Sequence, residues 1–246
     1  MIAHLPAPKG CSHSRHIPVT GGDVVIGTFT EVNADETPVT CVVRLWLPDR
    51  PGALGQVASR VGSLRGDVVG IDILERGGGR AVDELTLSLP DPGLIDLLLT
   101  EIGQVDGVAV EDIWVVDGER PDAGVVALTV AAELAGAPVE QRFEVLGRGL
   151  LGALGAQWAV LVDGDAPLVT MGPMPDLGWL SAFLAGSRHL VADAAPGDLA
   201  WAPLGDDSSA TVVLGRSGRP FHARERQHVA LLARIAGTLT ADLKVS

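Results

Sequence analysis

The chain has 246 residues, of which 47% are hydrophobic and 20% charged, and its formal net charge at pH 7 is −13. This length and composition are typical of one large globular domain or two of ordinary size. Nucleic acids and anionic membranes repel an acidic protein whose arginines are dispersed along the sequence, so we expect neither as a partner.

The cysteines, Cys11 and Cys41, are too few for a disulfide framework in a chain of this size. No charged-then-apolar leader opens the sequence, and every uncharged stretch is shorter than the roughly 20 residues of a membrane span. We therefore expect a soluble, cytoplasmic protein.

Residues 1–40 mix Pro, Gly, His and Ser without periodicity and are predicted to form an irregular segment, in which 23–32 alone has strand composition. Four residues of metal-ligand type lie near its start: His4, Cys11, His13 and His16. Zinc sites usually have CxxC-type pairs supported by folded neighbours, which this group lacks. No metal site is predicted there.

Residues 41–117 have the pattern of a small α+β domain. Apolar alternation predicts four strands, at 41–47, 67–75, 81–89 and 108–116. Helical spacing of apolar residues predicts a helix at 52–65 and a second between Pro90 and Gly107. The resulting βαββαβ order is that of a ferredoxin-like unit, with one four-stranded sheet and both helices on one face.

The polar segment 118–124 has the composition of a linker, and a second α+β domain is predicted at 125–246. Its pattern indicates a central antiparallel sheet flanked by helices. The predicted strands are 157–163, 166–171, 198–204 and 209–215. The predicted helices are 125–154, broken at Pro138, 176–186 and 222–243.

The joint between the first strand and the first helix, LPDRPGAL at 47–54, has the residue types of a ligand-binding turn. Asp49 is predicted to cap the helix, and Gly52 leaves room for a close approach to the backbone. Free amides at a helix start suit a carboxylate, and the Asp49 carboxylate suits an ammonium. The joint thus matches the two charged groups of a free amino acid. The alternative is that Asp-Arg-Pro-Gly forms only a capped turn.

Residues 41–117 resemble the ACT domain, a small regulatory module of enzymes of amino-acid metabolism. The resemblance rests on DRPGAL after the first strand, on the element order and on the closing strand GVAVEDIWVV. It implies units paired side by side, as a homodimer or larger assembly, with an amino acid bound at the interface. The implied ligand-binding residues are Asp49, Arg50, Pro51, Gly52, Ala53 and Leu54 in the turn, and Gly70, Ile71, Asp72 and Ile73 in the second strand of the paired unit.

Residues 124–243 resemble the GAF domain, on the segment RPFHARERQHVALLARIAGTLTADL at 219–243 and the strand pair before it. This resemblance implies either small-molecule sensing or dimerisation through terminal helices. The half contains no cysteine, which excludes covalent bilin attachment, and no cyclic-nucleotide-binding motif. No cofactor is predicted.

Other patterns point to no catalytic site. The GxGxxG at 147–152 leaves no room for a crossover helix before the next strand, so we interpret it as a Gly-rich helix end. His222, Glu225 and His228 do not have the HExxH spacing and are interpreted as a solvated helix face. We find no GxSxG elbow and no phosphate loop.

The sequence therefore predicts a non-catalytic, amino-acid-binding regulatory protein with its ligand at the interface between paired ACT-like units. The first alternative is a ligand-free module for dimerisation and protein interaction. The second is an enzyme with its site in the GAF-like half, which would need a convergent polar cluster with perturbed pKa values.

Overall fold

The computed structural model describes residues 38–118, 120–187, 197–205 and 208–241. Four potential metal ligands and a short strand were considered in the N-terminal segment, and both lie outside these residues. Residues 36–246 belong to one compact unit, which contains two four-stranded antiparallel sheets. The predicted α+β class is confirmed. The domain boundaries proposed around 118–124 stay a prediction.

The first sheet has the strand order β2-β3-β1-β4 with antiparallel neighbours throughout. Its strands are β1 (Val39–Pro48), β2 (Asp67–Gly77), β3 (Arg80–Leu89) and β4 (Ala109–Val116). Two helices, α1 (Ala53–Ser63) and α2 (Ile95–Gly103), connect β1 to β2 and β3 to β4. This is the predicted ferredoxin-like arrangement, and it makes β2 and β4 the two edges of the sheet.

The first core lies between this sheet and its two helices. Its buried members alternate along β1 and recur at helical spacing on α1 and α2: Cys41, Val43, Leu45, Val57, Val61, Leu98 and Ile102. Burial of one such side chain contributes about 1.5–3 kcal/mol, so this face holds the unit together. The alternate residues of β1, which include Arg44 and Trp46, lie on the opposite, outward face of the sheet.

Two details of the first unit depend on packing. Leu97 of α2 is exposed, and Ile95 packs against the core. Beyond the end of α1, Arg65 adopts the left-handed conformation, with φ 58°. Gly66 allows the end of α1 to pack closely against Leu89, because a Cβ atom at residue 66 would lie 2.8 Å from the Cδ2 atom of Leu89.

The second sheet has the order β6-β5-β8-β7. Its strands are β5 (Trp158–Asp163), β6 (Ala166–Met171), β7 (Leu199–Pro203) and β8 (Ala210–Gly215). The helices of this half are α3 (Ala123–Gly136), α4 (Arg142–Leu154), α5 (Leu177–Ser187) and α6 (Ala223–Ala241). The break predicted at Pro138 separates α3 from α4.

Both faces of the second sheet are covered. Helices α3, α4 and α6 pack on one face around Leu146, Leu161 and Val229, and α5 packs on the other around Leu180. The GxGxxG pattern lies within α4, where a Cβ at Gly149 would be 2.5 Å from Val130 of α3. That glycine lets the two helices approach closely.

Candidate functional site

The turn between β1 and α1 is held against the β2–β3 hairpin. The amide of Asp49 donates to the carbonyl of Gly79 at 3.0 Å, and the amide of Arg50 donates to the carbonyl of Pro48 at 2.8 Å. Gly52 occupies the N-cap position with φ 87°, a left-handed conformation that favours glycine. The predicted capping role of Asp49 is therefore wrong. No side chain caps the first turn of α1.

The predicted turn residues are mostly exposed. Asp49, Arg50, Pro51 and Gly52 face solvent, whereas Ala53 is buried and Leu54 packs partly against the first core. An uncapped helix start leaves backbone amides without intrahelical partners. The turn thus has an exposed carboxylate near the start of α1, and the amide of Ala53 donates to the carbonyl of Arg50 at 3.3 Å. The ligand-binding role of the turn stays a prediction.

The predicted residues of β2 are divided between the two faces of the sheet. Ile71 and Ile73 are in register with Leu85 and Asp83, on the side of the helices. Gly70 and Asp72 lie on the outward face, opposite Thr86 and Glu84. A single chain therefore places only Ile71 and Ile73 on the side of the Asp49 turn. The prediction that β2 of a paired unit completes the site stays a prediction.

β2 borders two openings. One, of about 430 Å³, is lined by Gly70, Ile71 and Asp72 together with Thr86, Ser88 and Arg120. The other, of about 460 Å³, lies between β2 and α6 and is lined by residues that include Ile73, Glu75, Arg224 and His228. The Arg224 guanidinium forms an ion pair with Asp72 at 2.9 Å beside the second opening.

Asp83 of β3 is a buried acid on the helix-facing side of the first sheet. It is 4% exposed, and its Oδ1 atom has no hydrogen-bond partner among the described residues. Burial raises the pKa of Asp83, the charge of Arg76 opposes this shift, and the charge of Asp49 adds to it. Asp83 therefore lies close enough to the predicted turn to interact electrostatically with Asp49.

A buried ion network joins the outward face of the first sheet to the second half. Arg44 contacts Glu84 at 2.7 Å and Glu225 of α6 at 3.0 Å, and Arg216 contacts Glu225 at 2.8 Å. Arg120 also pairs with Glu84. Because these charges are withdrawn from water, each depends on its partners for stabilisation.

The protonation equilibria of this network follow from its geometry. Burial raises the pKa of Glu225, but Arg44 and Arg216 outweigh it, so the net pKa is lowered. Burial lowers the pKa of Arg216 to about 10, with Glu225 opposing that shift. The carboxylate of Glu225 is held ionised by its two guanidinium partners.

His222 bridges two carboxylates of the first sheet. Its Nδ1 lies 3.1 Å from the Oε2 atom of Glu75 on β2, and its Nε2 lies 2.8 Å from the Oε2 atom of Glu111 on β4. The ring of His222 thus lies between a carboxylate of one sheet edge and a carboxylate of the other. Burial raises the pKa of Glu111, but the contacts with His222 and Trp46 and the charge of Arg44 outweigh this effect, so the net pKa is lowered.

These contacts correct one prediction and reveal residues that the sequence analysis missed. His222 and Glu225 were predicted to lie on a solvated helix face, but they are 4% and 6% exposed. Arg44, Glu84 and Arg216 were not singled out at all. A charged residue in the middle of an apolar strand, such as Arg44 in VTCVVRLWL, was the available signal.

Within the described parts of the chain, no group of three His, Cys, Asp or Glu residues has a geometry that could hold a metal ion. No described helix is both long and apolar enough to cross a membrane.

No family model and no curated protein matches the chain. Among solved structures, it is similar to an uncharacterised protein from Thermotoga maritima, with 21% identity, coverage of 33% of this chain and 100% of that one, and a TM-score of 0.27. It is also similar to the ACT domain from GTP pyrophosphokinase of Chlorobium tepidum, with 13% identity, coverage of 35% and 93%, and a TM-score of 0.27.

A bacteriophytochrome from the photosynthetic bacterium R. palustris has 14% identity with the chain and a TM-score of 0.33, over 71% of this chain and 47% of that one. The chain thus spans about half the length of the bacteriophytochrome. At these identities and TM-scores, none of the three similarities shows a family or a function.

Proposed function

We propose that this protein is a non-catalytic regulatory protein that binds a free amino acid, with two copies paired through β2 and the ligand held at the Asp49–Leu54 turn. The resemblance of residues 41–117 to ACT domains favours this arrangement. In it, the exposed Asp49 carboxylate receives the ligand ammonium, and the first amides of α1 receive the ligand carboxylate.

The observation that carries the proposal is the exposed apolar edge of the first sheet. β2 is an edge strand, and its Val69 and Ile71 side chains are 57% and 51% exposed. An edge strand with apolar side chains is a template for pairing with another strand. Pairing of two copies here would place the β2 residues of one copy beside the other copy, where the ligand is proposed to bind.

The first test is thermal melting of the purified protein with each of the twenty amino acids at millimolar concentration. A ligand present at 100 times its Kd adds about 2.7 kcal/mol to the free energy of unfolding, which raises the Tm by a few degrees. We expect one amino acid, or a chemically related group, to produce this shift. Twenty unchanged melting curves would argue against the proposal.

The second test is sedimentation velocity with and without that amino acid, using a matched pair of variants. Ile71→Lys places a charge on the β2 edge, and Val115→Lys places one on the opposite edge at β4, where the side chain is 52% exposed. Because only β2 is proposed to pair, Ile71→Lys should weaken self-association and ligand binding while Val115→Lys leaves both unchanged. Equal behaviour of the two variants would refute pairing through β2.

A second candidate function is a ligand-free dimerisation and interaction module, and it is favoured by a different surface. Helices α3 and α6 pack against each other and leave Val125, Leu128, Leu231 and Ile235 exposed, with Leu128 at 72%. Exposed apolar side chains on two helices in contact, called the α3–α6 surface below, favour a protein-interaction role. In this case Leu128→Glu, and not Ile71→Lys, should reduce self-association, and no amino acid should shift the Tm.

A further inference from the structure

The smaller of the two openings beside β2 lies against the outward face of the first sheet, away from the Asp49 turn. Its volume is about 430 Å³, and it is enclosed by residues of β1, β2 and β3 and by the segment 120–122. Binding sites for small molecules commonly have volumes of about 300–1,000 Å³. The opening is therefore large enough to hold a small organic molecule.

The floor of the opening is made of hydroxyl groups. Thr86 and Ser88 are alternate residues of β3, and Thr40 of β1 is in register with Ser88. Within the described residues, none of the three hydroxyls has a hydrogen-bond partner. Gly70 of β2 keeps Thr86 accessible, because a Cβ atom at residue 70 would lie 3.4 Å from its Oγ1 atom. The floor thus offers three unused donors to a ligand.

One wall of the opening is the Arg120 side chain, which is the exposed end of the buried ion network. In order, the ion pairs join Arg120, Glu84, Arg44, Glu225 and Arg216. Three arginines alternate with two glutamates, so one positive charge has no counter-charge within these pairs. The side chains of Arg44 and Arg216 are 3% and 2% exposed, whereas that of Arg120 is 27% exposed. The excess positive charge is accessible to a ligand only at Arg120.

The carboxylates that line the opening already have donors of their own. Asp72 forms its ion pair with Arg224 at 2.9 Å, and the Oδ1 atom of Asp122 accepts a hydrogen bond from the amide of Gly124 at 2.8 Å. The groups that remain for a ligand are the hydroxyls of the floor and the exposed side of the Arg120 guanidinium. Such a set of donors suits an oxyanion and not an ammonium group.

We propose that this opening is a binding site for a small organic carboxylate. The Arg120 guanidinium contacts the carboxylate, the hydroxyls of the floor donate to its oxygens, and the exposed Val69 and Ile71 at the rim contact a short apolar group of the ligand. The inference goes beyond the proposed amino-acid-binding function, because this site requires no amino group, no contact with the Asp49 turn and no paired copy.

The experiment is isothermal titration and thermal melting with sodium 3-methylbutanoate at constant ionic strength, with the uncharged 3-methylbutanamide and inorganic phosphate as comparison ligands. The test variants are Arg120→Gln and Thr86→Val, which remove the charge and one hydroxyl. In Arg120→Gln the Glu84 carboxylate keeps its contact with Arg44 at 2.7 Å, so we expect this variant to fold. The matched control is Arg60→Gln, which removes the same charge from an exposed ion pair outside the opening.

We expect the wild type to bind the carboxylate and not its amide. Arg120→Gln should bind at least about tenfold more weakly, because a charge-assisted hydrogen bond is lost. Thr86→Val should bind at least about threefold more weakly, because one donor to the carboxylate is replaced by a methyl group. Arg60→Gln should bind like the wild type.

Failure of the wild type to bind the carboxylate would overturn the inference, as would equal binding by the wild type and Arg120→Gln. Binding of phosphate without binding of the carboxylate would overturn the assignment of the ligand class. If Arg120→Gln melts well below the wild type, Thr86→Val decides, and unchanged binding by that variant would overturn the site.

The same variants separate this inference from the proposed function. An amino acid that raises the Tm of the wild type and of Arg120→Gln equally would support two distinct sites. Loss of that shift in Arg120→Gln would overturn their separation, because it would place the amino-acid carboxylate in this opening. If the carboxylate binds and no amino acid raises the Tm, only the proposed function fails.

Discussion

Replacing Glu225 by Gln tests whether the buried ion network couples the two halves of the protein. The carboxylate of Glu225 contacts Arg44 at 3.0 Å and Arg216 at 2.8 Å, and it accepts a hydrogen bond from the backbone amide of His222 at 2.9 Å. Glutamine preserves the volume of the side chain but removes the charge that both arginines face. Breaking a buried pair by neutralising one partner costs about 3–5 kcal/mol, because an uncompensated charge is left behind.

The matched control is Glu101→Gln in the first unit. Glu101 contacts Arg60 at the same 2.8 Å that separates Arg216 and Glu225, but Arg60 is 42% exposed there. A solvent-exposed pair contributes about 0–1 kcal/mol. The difference between the two variants therefore reports the combined effect of burial and of the second arginine partner of Glu225.

Urea unfolding followed by tryptophan fluorescence gives the free energy of unfolding for both variants and the wild type. We expect Glu225→Gln to lose at least about 3 kcal/mol and Glu101→Gln to lose less than about 1 kcal/mol. A loss of under about 1 kcal/mol in Glu225→Gln would refute the reasoning, because it would mean that the arginines find other partners or solvent at no cost.

The remaining predictions concern the stability of the protein at acid pH and the packing of helix α4 against α3. The pKa values of Glu111 and Glu225 are lowered from an ordinary value of 4.5, so their stabilising contribution is complete above that pH and is lost as pH falls through the lowered values. The urea midpoint should therefore drop steeply between about pH 5 and pH 3, and less steeply in Glu225→Gln. Gly149→Ala should destabilise by about 1–3 kcal/mol, because its Cβ would lie 2.5 Å from Val130. Gly152→Ala, in the same helix with nothing within 4 Å, should stabilise by about 0.5–1 kcal/mol in the same urea assay.

The elements of the fold could be predicted because local patterns specify them. The alternation of apolar residues along β1 and their 3.6-residue period along α1 each indicate one buried face. The βαββαβ order then allows few sheet topologies. The geometry of the turn before α1 was harder to predict than the helices and strands. The sequence DRPG contains two residues of types that commonly occupy the N-cap, Asp49 and Gly52. The choice of Gly52 depends on the amide of Asp49 reaching the carbonyl of Gly79, a contact between segments 30 residues apart.

The candidate site was only partly predictable, for a related reason. Asp49 could be chosen from its local context, but Asp83 depends on which face of β3 meets the helices, and its lack of a partner depends on packing. The ion network was missed because its members are far apart in sequence. Arg44 and Glu225 are separated by 181 positions. The segment 219–225 has the sequence of an ordinary polar helix start, and its burial depends on contact with the first sheet.

β2 links the proposed ligand site to the second half of the protein. Its helix-facing side carries Ile71 at the proposed pairing edge, and its outward side carries Asp72 and Glu75, which contact Arg224 and His222 at the start of α6. Glu75 and Arg224 are 43% and 36% exposed in these pairs, so each contact joins β2 to the start of α6 with about 0–1 kcal/mol.

Helix α6 also carries the exposed Leu231 and Ile235 of the alternative interaction surface. A change in β2 on pairing or ligand binding would therefore reach α6 through the contacts of Asp72 and Glu75 with Arg224 and His222. Helix α6 is also the helix that carries Leu231 and Ile235. Coupling between two sites requires an element with two states that both sites bias, and the β2–α6 contact is where the described residues join the two surfaces. The two candidate functions then need not exclude each other, because amino-acid binding at the first sheet would regulate what the α3–α6 surface contacts.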